Sequence, residues 1–209
     1  MSIGWNILGI IAWLAIVLYL VFIVQNIRKR HLMMIVRDRK RFEWKTTFVD
    51  AIEVFIFLAA TSGMIFLTFF SQPVLEDNTL ITSEVEYQPL ILSTNSHKSY
   101  YVTANSDKGM RPVQTYNFYS NGSRYTVKST YATISDGTDP KNIASNVIPF
   151  STKALKNADK EYQKAYVAIY TATYKKNWYN GLALHSGRQA TKYYLIRVPD
   201  RTFVKEVTH

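Results

Sequence analysis

Two long runs without a charged residue, one on each side of a short segment dense in arginine and lysine, constrain this chain more than any other feature. Ile7 to Val24 gives 18 consecutive uncharged positions and Val54 to Phe70 another 17. Each run is close to the ~20 residues a helix needs to cross a hydrocarbon core of about 30 Å. Backbone N–H and C=O groups find no water in that layer, so each run is expected as a membrane-spanning helix. A cleaved signal peptide would need a basic start and a small-residue cleavage site. Here Met1 to Asn6 contains no Lys or Arg, and the first run is followed by Arg28-Lys29-Arg30.

Residues 26 to 49 hold Arg28, Lys29, Arg30, Arg37, Arg39, Lys40, Arg41 and Lys45 against Asp38 and Glu43. Lys and Arg near span ends are retained on the cytoplasmic side, so both termini are expected outside the cell. The expected organisation is a first transmembrane helix over 1–25, a basic cytoplasmic loop over 26–49, a second transmembrane helix over 50–71 and an extracellular domain over 72–209. Trp5 and Trp44 suit headgroup-level anchors. Asp50 and Glu53, near the inner interface, are expected to pair with Arg or Lys of the loop. Ala59 and Gly63 stand four residues apart in the second span, a spacing that lets helix backbones approach closely. They are expected to pack helices, either within the chain or with another membrane protein.

Beyond residue 71 the composition changes. Pro73 stops the second helix and Glu76-Asp77-Asn78 makes a polar stalk. Runs of β-branched and aromatic residues over Leu80–Tyr87, Leu90–Ser93, Tyr100–Ala104, Val113–Tyr119, Arg124–Ile134, Ala165–Tyr174, Lys192–Val198 and Thr202–Val207 read as strands. Asn121-Gly122 between two such runs predicts a type I′ hairpin turn, which needs positive φ at both central residues. Ser151 to Lys164 carries apolar residues at helical spacing behind a Ser/Thr cap. The fold class is therefore α+β: two N-terminal transmembrane helices, then a mainly antiparallel β domain with one or two helices.

No cysteine is present, which excludes disulfides, thiolate metal sites and Cys nucleophiles. His97, His185 and His209 fall in no metal-spaced pair. Asp136-Gly137-Thr138-Asp139-Pro140 offers too few spaced oxygens for a calcium loop. His185-Ser186 lacks a nearby acidic orienter, and phosphate-binding and Gly-x-Ser-x-Gly signatures are missing. No cofactor, metal or catalytic residue is assigned. One stretch stands apart, Tyr174 to Arg188, which gathers Lys175, Lys176, Trp178, Tyr179, His185 and Arg188 with two glycines between strands. Cations and aromatic rings on a loop held by a sheet make a recognition surface. From residue 71 onward 17 Lys/Arg face 11 Asp/Glu. A basic domain outside a membrane meets anionic envelope polymers, not nucleic acid.

The two spans around a basic loop, the stretch Tyr-Lys-Lys-Asn-Trp-Tyr-Asn-Gly to Leu-His-Ser-Gly-Arg and the closing Tyr-Tyr-Leu-Ile-Arg-Val-Pro resemble a family of small two-span membrane proteins of lactic-acid bacteria. The resemblance covers the whole chain and implies a Gram-positive cell membrane, with no activity to carry over. The expected function is that of a non-catalytic, membrane-tethered envelope protein whose extracellular domain binds a partner protein or an anionic wall polymer. Two alternatives are a membrane-anchored hydrolase or peptidase using Ser with Lys or His185, and an accessory subunit of a larger membrane complex.

Overall fold

The computed structural model describes residues 3–36, 42–71, 74–75, 77–95, 98–106 and 113–208. Arg37, Asp38, Arg39, Lys40, Arg41, Pro73, Glu76, His97 and His209 lie outside the described residues. In chain order the elements are α1 (Ile3–Val36), α2 (Trp44–Ile65) with a π-helical continuation (Phe66–Phe70), β1 (Ile81–Pro89), β2 (Ser93–Asn95), β3 (Lys98–Tyr100), β4 (Val102–Ser106), β5 (Gln114–Ser120), β6 (Ser123–Lys128) and β7 (Ala132–Ser135). After a 3₁₀ turn (Ile143–Val147) come α3 (Thr152–Glu161), β8 (Tyr166–Tyr174), α4 (Trp178–Leu182), β9 (Gln189–Arg197), a 3₁₀ turn (Arg201–Phe203) and β10 (Val204–Thr208). They form two compact units, Met1–Pro73 with Tyr174–Arg188, and Val74–Thr173 with Gln189–His209.

In the first unit α1 and α2 are both long and apolar enough to cross a membrane. With 34 residues, α1 extends about 50 Å at 1.5 Å per residue, well beyond the ~30 Å of a hydrocarbon core. The helix thus continues to Val36, into the segment expected as a loop over 26–49, because water and headgroups would end a membrane-spanning part without ending the helix. Lys, Arg, Leu and Met are good helix formers. Ile16, Ile23, Asn26, Arg30 and Met34 lie on one shielded stripe of α1, and Asp50, Glu53, Phe57, Thr61 and Met64 on one of α2, the 3- and 4-residue spacing of helices packed side by side. At the connected end the contact is polar. Asn26 Nδ2 donates to Glu53 Oε1 at 2.9 Å, Arg30 pairs with Asp50 at 3.2 Å and also with Glu53, and His31 Nε2 lies 3.0 Å from Asp50 Oδ2. The basic partner expected for the two carboxylates is Arg30.

The second unit is built on two four-stranded sheets, ordered β1-β8-β9-β7 and β10-β4-β5-β6, with β2 and β3 as a separate ribbon. Pairing is antiparallel for β8–β9, β4–β5 and β5–β6, but β7 runs parallel to β9 and β10 parallel to β4. Parallel neighbours need long crossover connections, and the pattern of a single strand carries no trace of its partner's direction. The facing sides of the sheets bury Val102, Ala104, Tyr116, Phe118, Val167, Ile169 and Ile196. Alternate residues of β8 point the other way, where Tyr166 donates to Leu155 O of α3 at 3.1 Å and Tyr170 meets Phe150 edge-on at 5.8 Å. Covered on both faces, β8 is buried from Tyr166 to Tyr170, which explains its unbroken apolar and tyrosine-rich sequence.

Two local sequences set the details. Asn121 and Gly122 have φ of 45° and 72°, the paired positive values of the expected hairpin turn between β5 and β6. The single strand expected over Arg124–Ile134 is instead two, β6 and β7, in different sheets. Ser129 N donates to Gln114 O and Tyr131 N to Lys128 O, at 2.8 and 2.9 Å, so a turn at Ser129-Thr130 hands the chain from one sheet to the other. Serine and threonine at this corner carry strand and turn propensity alike.

Candidate functional site

The segment from Tyr174 to Arg188 begins and ends on paired backbone, with Tyr174 N donating to Arg188 O at 2.9 Å and Gly187 N to Tyr174 O at 3.1 Å. Asn177 then caps α4 by accepting from Asn180 N at 2.8 Å. Asn180, buried, donates through Nδ2 to Lys175 O at 2.9 Å, and its own carbonyl accepts from His185 N and Ser186 N at 2.8 and 3.1 Å. One asparagine therefore closes the segment on itself.

This folded segment is fixed to the start of α1. Asn6, 8% exposed, donates through Nδ2 to Ser186 O and accepts from Ser186 N through Oδ1, both at 3.1 Å. Two glycines make room for the approach. A Cβ on Gly9 would stand 2.6 Å from Leu182 O, and a Cβ on Gly181 would collide with the backbone of Trp5. At the far end of α2, His185 Nε2 lies 3.0 Å from Thr68 O. Carbonyls in a last helical turn have no intrahelical donor, and because a carbonyl only accepts, Nε2 is the protonated nitrogen. The His185 ring stacks on Tyr174 with 4.8 Å between centroids.

Of the six residues assigned to binding by sequence, the structure brings all into this one segment but gives them two situations. Lys175, Lys176, Trp178 and Arg188 are exposed, with Trp178 at 62%, while Tyr179 and His185 are half-buried. His185 is engaged with Tyr174 and Thr68. Ser186 Oγ is enclosed and has no hydrogen-bond partner among the described residues, so these neighbours in sequence do not form a hydrogen-bonded pair. Asn6 and Gly9, which help hold the segment in place, escaped the sequence reading, and Gly181 was read only as one of the segment's two glycines. Their signal is slight: a lone amide just ahead of an apolar run, and single glycines in helices.

Ala59 and Gly63 are both exposed on α2, and nothing stands within 4 Å of a Cβ built on Gly63. They do not face α1. In the second unit the loop 136–140 encloses a protein cation. Arg197, fully buried, donates to Gly137 O, Asp139 O and Ser135 Oγ at 2.6, 3.3 and 3.1 Å. Its Nε and Nη2 reach Asp159 Oδ1 and Oδ2 at 2.9 and 3.1 Å. Tyr166 adds a hydrogen bond to Asp159 Oδ1 at 3.1 Å. Burial first, then the Asp159 charge, push the Tyr166 phenol far above its ordinary range. Every guanidinium edge is used, which makes this a clamp between α3, the loop and β9. Among the described residues no group of three or more His, Asp or Glu could hold a metal ion.

Among known proteins, no curated protein and no solved structure matches this chain. One family model does, across residues 4–205, and it describes a family named after a locus of a lactic-acid bacterium, with no known activity. A match running from the first helix to the last strand takes in the helical hairpin, the docked segment and both sheets together. The chain belongs to that family.

Proposed function

We propose that the protein is a non-catalytic, membrane-tethered envelope protein, with α1 and α2 spanning the cell membrane, both termini outside, and an extracellular β domain that captures an anionic wall polymer or a partner protein. The basic residues between the spans support this orientation. The observation that carries the binding reading is the exposure of Lys175, Lys176, Trp178 and Arg188 on a segment whose backbone is fixed through Asn6. A fixed backbone presents cations and a ring without the ordering cost of a mobile loop. The test is retention of the full-length protein, in mild detergent, on isolated cell walls. Retention should fall as salt rises above about 0.15 M, where screening acts over about 8 Å. Charge reversal at Lys175, Lys176 and Arg188 should weaken it, and retention indifferent to both would remove the polymer reading.

A second reading, an accessory subunit of a larger membrane complex, draws on the open face at Ala59 and Gly63. Co-purification in mild detergent tests it: a partner released by Gly63→Leu supports it, and purification without any companion removes it.

A further inference from the structure

The outward face of the sheet β10-β4-β5-β6 has a composition unlike that of the domain around it. Alternation along each strand sends Val102, Ala104, Tyr116 and Phe118 into the core and their neighbours outward. Register then aligns the outward residues in rows: Lys205, Thr103, Asn117 and Thr126 in one; Val207, Asn105, Thr115 and Lys128 in the next; and Tyr119 beside Arg124 in a third. These rows contain three cations, two amides, three threonines and a tyrosine, and no carboxylate. The nearest acidic residue on the sheet, Glu206, is at an inward register position opposite Ala104 and pairs with Arg201 at 3.1 Å.

The face is also grooved. Two shallow concavities, of about 180 and 380 Å³, share Asn105, Asn117 and Arg124. The smaller reaches Tyr100, over whose ring Lys205 Nζ stands at 5.3 Å. The larger includes Thr126, where a further depression leads on to Lys128 and Lys192. Asn117 accepts from Thr126 Oγ1 at 2.6 Å, which orients its amide and directs its donors away from that bond.

We propose that this sheet face is a binding groove for an extended, hydroxyl-rich anionic polymer of the phosphodiester-linked polyol kind. The inference rests on the extracellular binding role proposed above and assigns it a site separate from the Tyr174–Arg188 segment. Three features select this occupant. Cations spaced along the rows match a repeating negative charge, and among the described residues no carboxylate stands between them. Amides and hydroxyls between the cations match a chain of hydroxyls, since each has both donors and acceptors. Linked depressions fit a linear chain better than a compact ligand. A lipid surface would require a cluster of apolar side chains to insert, whereas the aliphatic side chains here are Val207 in the rows and Val113 on the larger concavity. A nucleic acid would draw on aromatic rings for stacking; Tyr119 is the one ring in the rows, but Tyr100 and Tyr101 also line the smaller concavity, so the oligonucleotide is the decisive comparison.

The experiment measures binding of poly(glycerol phosphate) to the full-length protein in nanodiscs of zwitterionic lipid. Neutral dextran, a single-stranded oligonucleotide and vesicles of anionic lipid serve as comparison ligands. Combined Arg124→Gln, Lys128→Gln and Lys205→Gln should weaken polymer binding about tenfold and flatten its salt dependence. Combined Asn105→Ala and Asn117→Ala should weaken it while leaving the salt dependence intact, because hydrogen bonds and not charges are lost. Unchanged affinity in both variants overturns the groove, and if charge reversal at Lys175, Lys176 and Arg188 then abolishes binding, the wider function stands without it. No wild-type binding to the polymer or to isolated walls removes both. Equal or tighter binding of the oligonucleotide or the vesicles overturns the polyol assignment.

Discussion

Gly181 and Arg197 show how single residues set this structure. Gly181→Ala places a methyl group in the backbone of Trp5, and a clash with backbone is not relieved by a rotamer change. Overpacking of this kind costs about 1–3 kcal/mol. The expected outcome is local: faster proteolysis within 174–188, with little change in the melting of the sheets. Arg197→Met leaves the half-buried Asp159 without its ion-pair partner, and breaking a buried pair from one side costs at most about 3–5 kcal/mol. A lowered melting temperature of the full-length protein in detergent checks it, and an unchanged melt would deny the clamp its structural role. Tyr166 links the same network to pH. Because its folded-state pKa is raised above the ordinary value, its contribution is complete below about pH 10 and is lost as pH rises beyond it. Melting temperatures measured toward alkaline pH should therefore fall, and Tyr166→Phe should make the fall less steep.

At the scale of elements, what could be read in advance was whatever a local rule determines. Uncharged length identified α1 and α2, Asn121-Gly122 identified the hairpin, and Ser151, which accepts from Ala154 N at 3.4 Å, marked the start of α3. Long-range partners were not legible. The Arg124–Ile134 run looked continuous because threonine, tyrosine and valine suit a strand on either sheet, and only partner strands show that β6 and β7 part company. The assigned cations lie in one exposed segment that Asn180 closes on itself, yet what fixes that segment in place lies 180 residues away, in the contact between Asn6 and Ser186. Asn6→Ala removes both hydrogen bonds and leaves Ser186 O without this donor in a buried setting, while Ser186 N keeps Asn180 O, at about 1–3 kcal/mol. Hydrogen exchange should then rise across 178–186 and remain unchanged in β8. Protection that stays constant there would mean that the glycine contacts, the Asn180 hydrogen bonds and the His185–Thr68 contact hold the segment without Asn6.

At the scale of the whole chain, the unit boundaries alter what a soluble fragment should do. The sheets draw their core from Val74–Thr173 and Gln189–His209, while Tyr174–Arg188 belongs with the helices. A fragment covering residues 74 to 209 should still unfold cooperatively, because its sheets keep their buried faces. Its 174–188 segment, however, loses Asn6, Gly9 and Thr68 and should be cleaved readily by trypsin at Lys175, Lys176 or Arg188. The central claim is that the helices span the membrane and leave the basic connection inside and the binding surfaces outside. Since the chain has no cysteine, single replacements at the exposed Lys29 and Lys176 can be probed in intact cells with an impermeant thiol reagent. Labelling of Lys176→Cys in intact cells, with Lys29→Cys labelled only after permeabilisation, is the expected result; labelling of Lys29→Cys in intact cells, or protection of Lys176→Cys, would contradict it.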